Sequence, residues 1–168
     1  WFSTSATTPR KLFGWENTQT GISSGNWDRH LWIGTTGGYL FGGIWNVSTN
    51  KAIFSRTTSK MNDSAWHYAV MTFGSYTETL YTDNNNGITN ATSALAEVGT
   101  GSGYWRMGSY KINNWPSSPG DGYYSGTLDE VRVSSVVRSS DWIKTEYNNQ
   151  NSPATFIKNY KSQVTWTC

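Results

Sequence analysis

Apolar and polar residues alternate with a spacing of two along nearly the whole chain, and clusters of Gly and Asn break the alternation at short intervals. A side-chain period of two marks strands with one buried face, and frequent turn residues between such runs belong to antiparallel sheets. The pattern predicts strands over Lys11 to Trp15, Arg29 to Ile33, Tyr39 to Trp45, Ala52 to Arg56, Trp66 to Phe73, Thr79 to Asp83, Tyr104 to Gly108 and Thr127 to Ser134. The connecting runs Gly34-Thr-Thr-Gly-Gly38 and Asn84-Asn-Asn-Gly87 tolerate positive φ and read as hairpins. One helix is expected from Ser140 to Asn148. Ser139 or Ser140 caps it, Asp141 lies in the first turn, Trp142, Ile143, Glu146 and Tyr147 follow helical spacing, and Pro153 lies beyond its end. Residues 154–168 read either as one more strand or as an ordered tail.

A chain of 168 residues is long enough for one domain with its own core. Thirteen Lys and Arg against eleven Asp and Glu leave a net charge of +2, and the cations are scattered singly from Arg10 to Lys161, which argues against a nucleic-acid partner. Charged residues make up 14%, below the roughly 25% usual in soluble domains, and Gly, Ser, Thr and Asn fill the difference. That balance suits an extracellular β-protein with a polar, uncharged surface. No apolar run approaches the ~20 residues that span a bilayer, so membrane insertion of this stretch is not expected. The chain opens on Trp1-Phe2-Ser3 with no lead-in, which reads as a cut inside a longer protein. Cys168 is the only cysteine, so no disulfide forms within the chain; a free thiol and a bond to a cysteine elsewhere both stay open.

Trp66-His-Tyr-Ala-Val-Met-Thr-Phe73, followed after a turn by Thr79-Leu-Tyr-Thr-Asp83, resembles the paired central strands of laminin-G-like domains in the concanavalin A-like lectin/glucanase superfamily. Gly126-Thr-Leu-Asp-Glu-Val-Arg-Val133, then Arg138 and Trp142-Ile143, is similar to that family's closing strand and short helix. Asp28-Arg-His-Leu31 and Gly103-Tyr-Trp-Arg106 with Trp115-Pro116 are similar to segments of bacterial members. The resemblance runs from Trp1 to about Asn149. It implies an all-β, two-sheet antiparallel jelly roll, a lectin-type domain over 1–149 with an extension over 150–168, and in many members a structural calcium ion at the rim. It also implies glycan or protein binding outside the cell, in surface proteins, adhesins, glycosidases or pilins. Asp83-Asn84 stands where the family has Asp-Gly, and the family's first strand, ahead of Trp1-Phe2, is missing, which leaves an edge to fill unless 150–168 covers it.

Glycosidases of this superfamily place carboxylates alternately along one strand so that they share a face. No such string occurs, and the adjacent Asp129 and Glu130 point to opposite faces of a strand, so catalysis is not expected. Within a strand from Thr127 to Ser134, Asp129 shares the core face with Val131 and Val133 and needs a partner there. Calcium ligation with Asp28, a hydrogen-bonded corner and an ion pair with Arg106 are all open.

In the strand from Arg29 to Ile33, Leu31 and Ile33 turn to the core while His30 and Trp32 turn away, and in the next strand Tyr39, Phe41 and Trp45 lie on the face opposite Leu40 and Ile44. Such a face would present an aromatic bed with polar groups among the rings, the chemistry that grips pyranoses. The candidate ligand-binding residues are therefore Trp27, Arg29, His30, Trp32, Trp45, Trp105, Arg106 and Trp115, and the candidate calcium ligands are Asp28 and Asp129. Trp15 and Trp66 are expected in the core. The expected function is a non-catalytic carbohydrate-binding module of a longer surface or filament protein, with protein binding or a structural spacer as the alternative and a hydrolase behind both.

Overall fold

A computed structural model describes residues 1–8, 10–20, 29–35, 37–47, 49–84, 86–91, 102–108, 112, 115–118 and 122–156. Trp27, Asp28 and the segment 157–168 with Cys168 lie outside the described residues. The alternating pattern forms β1 (Phe2–Ser3), β2 (Lys11–Glu16), β3 (Arg29–Ile33), β4 (Tyr39–Asn46), β5 (Lys51–Lys60), β6 (Ala69–Phe73), β7 (Thr77–Thr82), β8 (Ile88–Ala91), β9 (Tyr104–Met107) and β10 (Thr127–Leu128). Helices α1 (Ser140–Asn151) and α2 (Pro153–Phe156) follow. The architecture is all-β, with three antiparallel sheets ordered β5-β4-β3-β2-β9, β6-β7-β8 and β1-β10.

Period-two alternation decides which side chains meet. Leu31, Ile33 and Leu40 on the five-stranded sheet turn toward Leu80 of β7, and Phe2, Leu12 and Met61 complete this buried cluster. Each such side chain contributes about 1.5–3 kcal/mol by leaving water. Gly42 lets the two larger sheets pack closely, since a Cβ there would stand 2.8 Å from the Met71 sulfur. Across the same interior the Ser55 hydroxyl donates to Glu78 Oε2 at 2.7 Å, which satisfies part of a carboxylate that has no access to water.

The N-terminal residues are tied down by a strap over 61–67. Phe2 and His67 exchange backbone hydrogen bonds of 2.9 and 2.8 Å, Ser64 N–H donates to the Thr4 carbonyl at 3.0 Å, and the Asn62 amide donates to the Ala6 carbonyl at 3.1 Å. The strap also explains a departure from expectation. The strand expected from Trp66 begins only at Ala69, and Trp66 is 48% exposed because the neighbouring His67 takes the inward position. Trp15 is half-buried rather than buried.

The closing strand is shorter than the valine alternation suggests. β10 stops at Leu128, Asp129 Oδ1 accepts the Glu130 N–H at 2.8 Å, and Glu130 enters the left-handed region at φ 51°. That turn removes the register on which the alternation depended, so Val131 and Val133 are exposed and Asp129 faces solvent. α1 starts where its cap places it, with the Ser139 hydroxyl accepting the Trp142 N–H at 3.2 Å. It runs on to Asn151, so the boundary expected after residue 149 falls inside the helix, and Pro153 opens α2. Ile143 is buried beneath α1, the Tyr68 hydroxyl donates to Glu146 at 2.6 Å, and the Trp1 ring stacks on Tyr147 at 5.7 Å.

Candidate functional site

The outer face of the five-stranded sheet gathers most of the residues singled out above. Strand register lines up Arg106, Gly14, His30 and Gly43 in one row, and Lys11, Trp32 and Phe41 in the next. A bulge between Lys11 and Phe13 lets Lys11 join the face that also carries Gly14 and Glu16. Of the two glycines flanking His30 in its row, Gly14 leaves room for its ring. A Cβ at Gly14 would fall on the imidazole and lie 2.8 Å from the Arg29 carbonyl.

Rings fill the space above. Trp32 stacks on Phe41 at 5.3 Å and 18°, and Trp115 meets Trp32 edge-on at 5.4 Å, His30 edge-on at 5.0 Å and Trp45 at 5.7 Å. Ile112 and Trp115 lie over the sheet, and the segment carrying Trp115 is held there by Thr35 N–H donating to the Ser117 carbonyl at 3.1 Å. His30 and Trp32 do turn away from the main core, but with this cover His30, Trp32 and Trp115 are all buried. The open aromatic bed expected from the alternation is instead a second buried cluster, with Tyr39, Trp45 and Phe54 half-buried at its border. The indole N–H groups of Trp32 and Trp115 have no hydrogen-bond partner among the described residues.

Beside the rings lies a charged group that the alternation did not reveal. Lys11 and Glu16 have no solvent access and form an ion pair, and Arg106 donates to the other Glu16 oxygen at 2.7 Å. Burial first, then the Arg106 guanidinium, pulls the Lys11 ammonium down to about 7. Lys11 opens an expected strand and Glu16 lies just past its expected end, and neither was a candidate. Only the two-fold spacing from Gly14 to Glu16 hinted that Glu16 shares the His30 face.

The remaining candidates stand elsewhere. Arg29 points to the opposite face, its guanidinium 5.8 Å from the Phe73 ring. Trp105 lies on the edge strand β9, stacked on Phe13 at 5.0 Å and 2° yet 44% exposed. Tyr104 and Met107 of the same strand are exposed, and Tyr124 N–H donates to the Gly108 carbonyl at 2.9 Å, which brings the 70% exposed Tyr123 alongside the end of β9. Asp129 is exposed, with its backbone paired to Trp1 and one carboxylate oxygen on Glu130 N–H. Among the described residues no group of three or more His, Cys, Asp and Glu side chains is arranged to hold a metal. No helix there is long and apolar enough to cross a membrane.

A carboxylate–imidazole–carboxylate cluster at the end of β7 also escaped the sequence. His67 Nδ1 is 3.0 Å from Asp83 Oδ2 and Nε2 is 3.0 Å from Asp63 Oδ1. The Asp83 hydrogen bond leads the causes that raise the His67 pKa above its ordinary value.

No protein-family model matches the chain, and no curated protein matches it. Among solved structures it is similar to residues 221–444 of an S-layer domain-containing protein from Clostridium thermocellum ATCC 27405, at 19% identity and a TM-score of 0.42. The match covers 88% of this chain and 66% of that one, and a likeness of this degree bears on neither fold family nor function.

Proposed function

We propose that this chain is a non-catalytic, extracellular carbohydrate-binding module of a larger surface protein, built as a laminin-G-like jelly roll, in which Trp105 is the ring that receives the sugar. The observation that carries this reading is the Trp105 indole, fixed parallel to Phe13 at 5.0 Å while 44% of the residue stays open to solvent. A flat ring held in place by a second ring stacks on a pyranose with little ordering cost, and the exposed Met107, two residues along β9 and on the same face, adds apolar surface beside it.

Binding to an array of neutral and acidic glycans tests the reading. Trp105→Ala is expected to weaken the bound glycan about 30-fold, the effect of truncating an anchoring Trp at about 2 kcal/mol. Trp32→Phe, beneath the cover, is expected to change little. A flat array, or one unmoved by Trp105→Ala, overturns it. Calcium belongs to the same reading, and an unchanged melting temperature in chelator removes it. Release of reducing sugar from mixed polysaccharides would reject the non-catalytic part. The exposed valines 131, 133, 136 and 137 favour a second reading, a protein-binding module, which gains if the array is flat.

A further inference from the structure

The strap over 61–67 holds the N-terminal residues by backbone bonds, and one side chain locks it to the body of the protein. His67 sits between two carboxylates, Asp63 within the strap and Asp83 just after β7, each 3.0 Å from a different ring nitrogen. A carboxylate only accepts, so both bonds form together only when both ring nitrogens carry protons. We propose that His67 is a proton-operated clasp, closed as the imidazolium across Asp63 and Asp83, and that loss of its proton opens the Asp63 side and loosens the strap together with residues 2–6.

The geometry also says which side opens. Asp83 is the more enclosed partner, its side chain 30% exposed against 54% for Asp63, and its second oxygen accepts the Tyr68 N–H at 2.8 Å. Neutral His67 therefore keeps its remaining proton on Nδ1, facing Asp83, and turns a bare Nε2 lone pair toward Asp63. The charges that act on the ring are Asp83 and Asp63. From β1 it meets only the Phe2 ring, at 5.5 Å, and Glu146 of α1 is taken by Tyr68 and Arg132. Asp63 in turn accepts the Ala65 N–H at 2.9 Å, so the lock shapes the strap itself. Since the folded protein raises the His67 pKa, the clasp is fully closed below the unfolded value of 6.5 and is lost as pH rises through the higher folded value.

Long-range nitrogen NMR of the histidine rings in the whole chain, followed from pH 5 to 10, reads the clasp directly. The expected result is a His67 ring protonated on both nitrogens at pH 6, a midpoint above 6.5, and a neutral form with its proton on Nδ1. Amide exchange of residues 2–6 and 61–67 should rise through the same midpoint beyond the ordinary base-catalysed increase, which residues of β3 and β4 report. Asp63→Asn keeps the acceptor for Ala65 but removes the charge, and is expected to lower the midpoint. A ring carrying one proton at pH 6, a midpoint at or below 6.5, or exchange that ignores the midpoint overturns the proposal. The wild-type titration decides the matter even where the variant does not fold.

Discussion

Lys11, Glu16 and Arg106 show how much a single buried carboxylate can carry. Glu16 holds both cations, so Glu16→Gln leaves them facing each other out of water and is expected to cost about 3–5 kcal/mol in urea unfolding. Lys11→Met leaves Glu16 with Arg106 and is expected within about 1 kcal/mol of the parent. The pH dependence has a definite sign. Because the folded chain pulls Lys11 down to about 7, the unfolded chain binds more protons between that value and 10.5, and the Lys11 contribution makes stability rise with pH across the window. Unfolding curves at pH 7, 8 and 9 should therefore gain less with pH in Lys11→Met than in the parent. Gly14→Ala drives a methyl into His30 and is expected to cost about 1–3 kcal/mol or to displace the imidazole, seen as a shifted His30 ring signal. None of this was legible from residue type, because a Lys or Glu in a strand reads as solvent-facing until the cover above it is known.

At the scale of elements, local chemistry was the reliable guide. β3 occupies the expected residues, and β2, β4 and β9 each differ from expectation by one residue, since their alternation coincides with a real neighbour alongside. The start of α1 was legible because capping needs only Ser139 and the next turn. Ser139→Ala is expected to cost about 1 kcal/mol and to speed amide exchange at Trp142, whose N–H loses its acceptor. The two-residue β1 was not among the expected strands, and β10 starts at the expected Thr127 but stops at Leu128, as a two-residue ladder takes its stability from the chain beside it rather than from its own pattern. The valines after Leu128 misled for the same reason. Alternation marks a strand only where a partner lies alongside, and the left-handed Glu130 turns the chain before one is met.

For the molecule as a whole, the two buried clusters have different standing. Leu80 lies where the two larger sheets meet, so Leu80→Ala is expected to cost about 2–5 kcal/mol and to lower the cooperative unfolding transition. Trp115 belongs to a cover on one sheet. Trp115→Ala is expected to open Trp32 to iodide quenching while far-ultraviolet dichroism keeps its β signal, because the interior between the sheets does not include it.

From the order of residues alone, the side-chain period assigned Leu31, Ile33 and Leu40 to the core face of β3 and β4 and His30, Trp32 and Phe41 to the other, and the structure keeps that assignment. Parity is a property of the backbone, so neighbours in sequence suffice to read it. Whether an outward ring meets water depended on Ile112 and Trp115, which arrive from some eighty residues later and close over the sheet. That closure is a long-range event with no local pattern, and so only the tertiary structure could turn an apparent binding face into a second core while Trp105, at the sheet's edge, stays open to solvent.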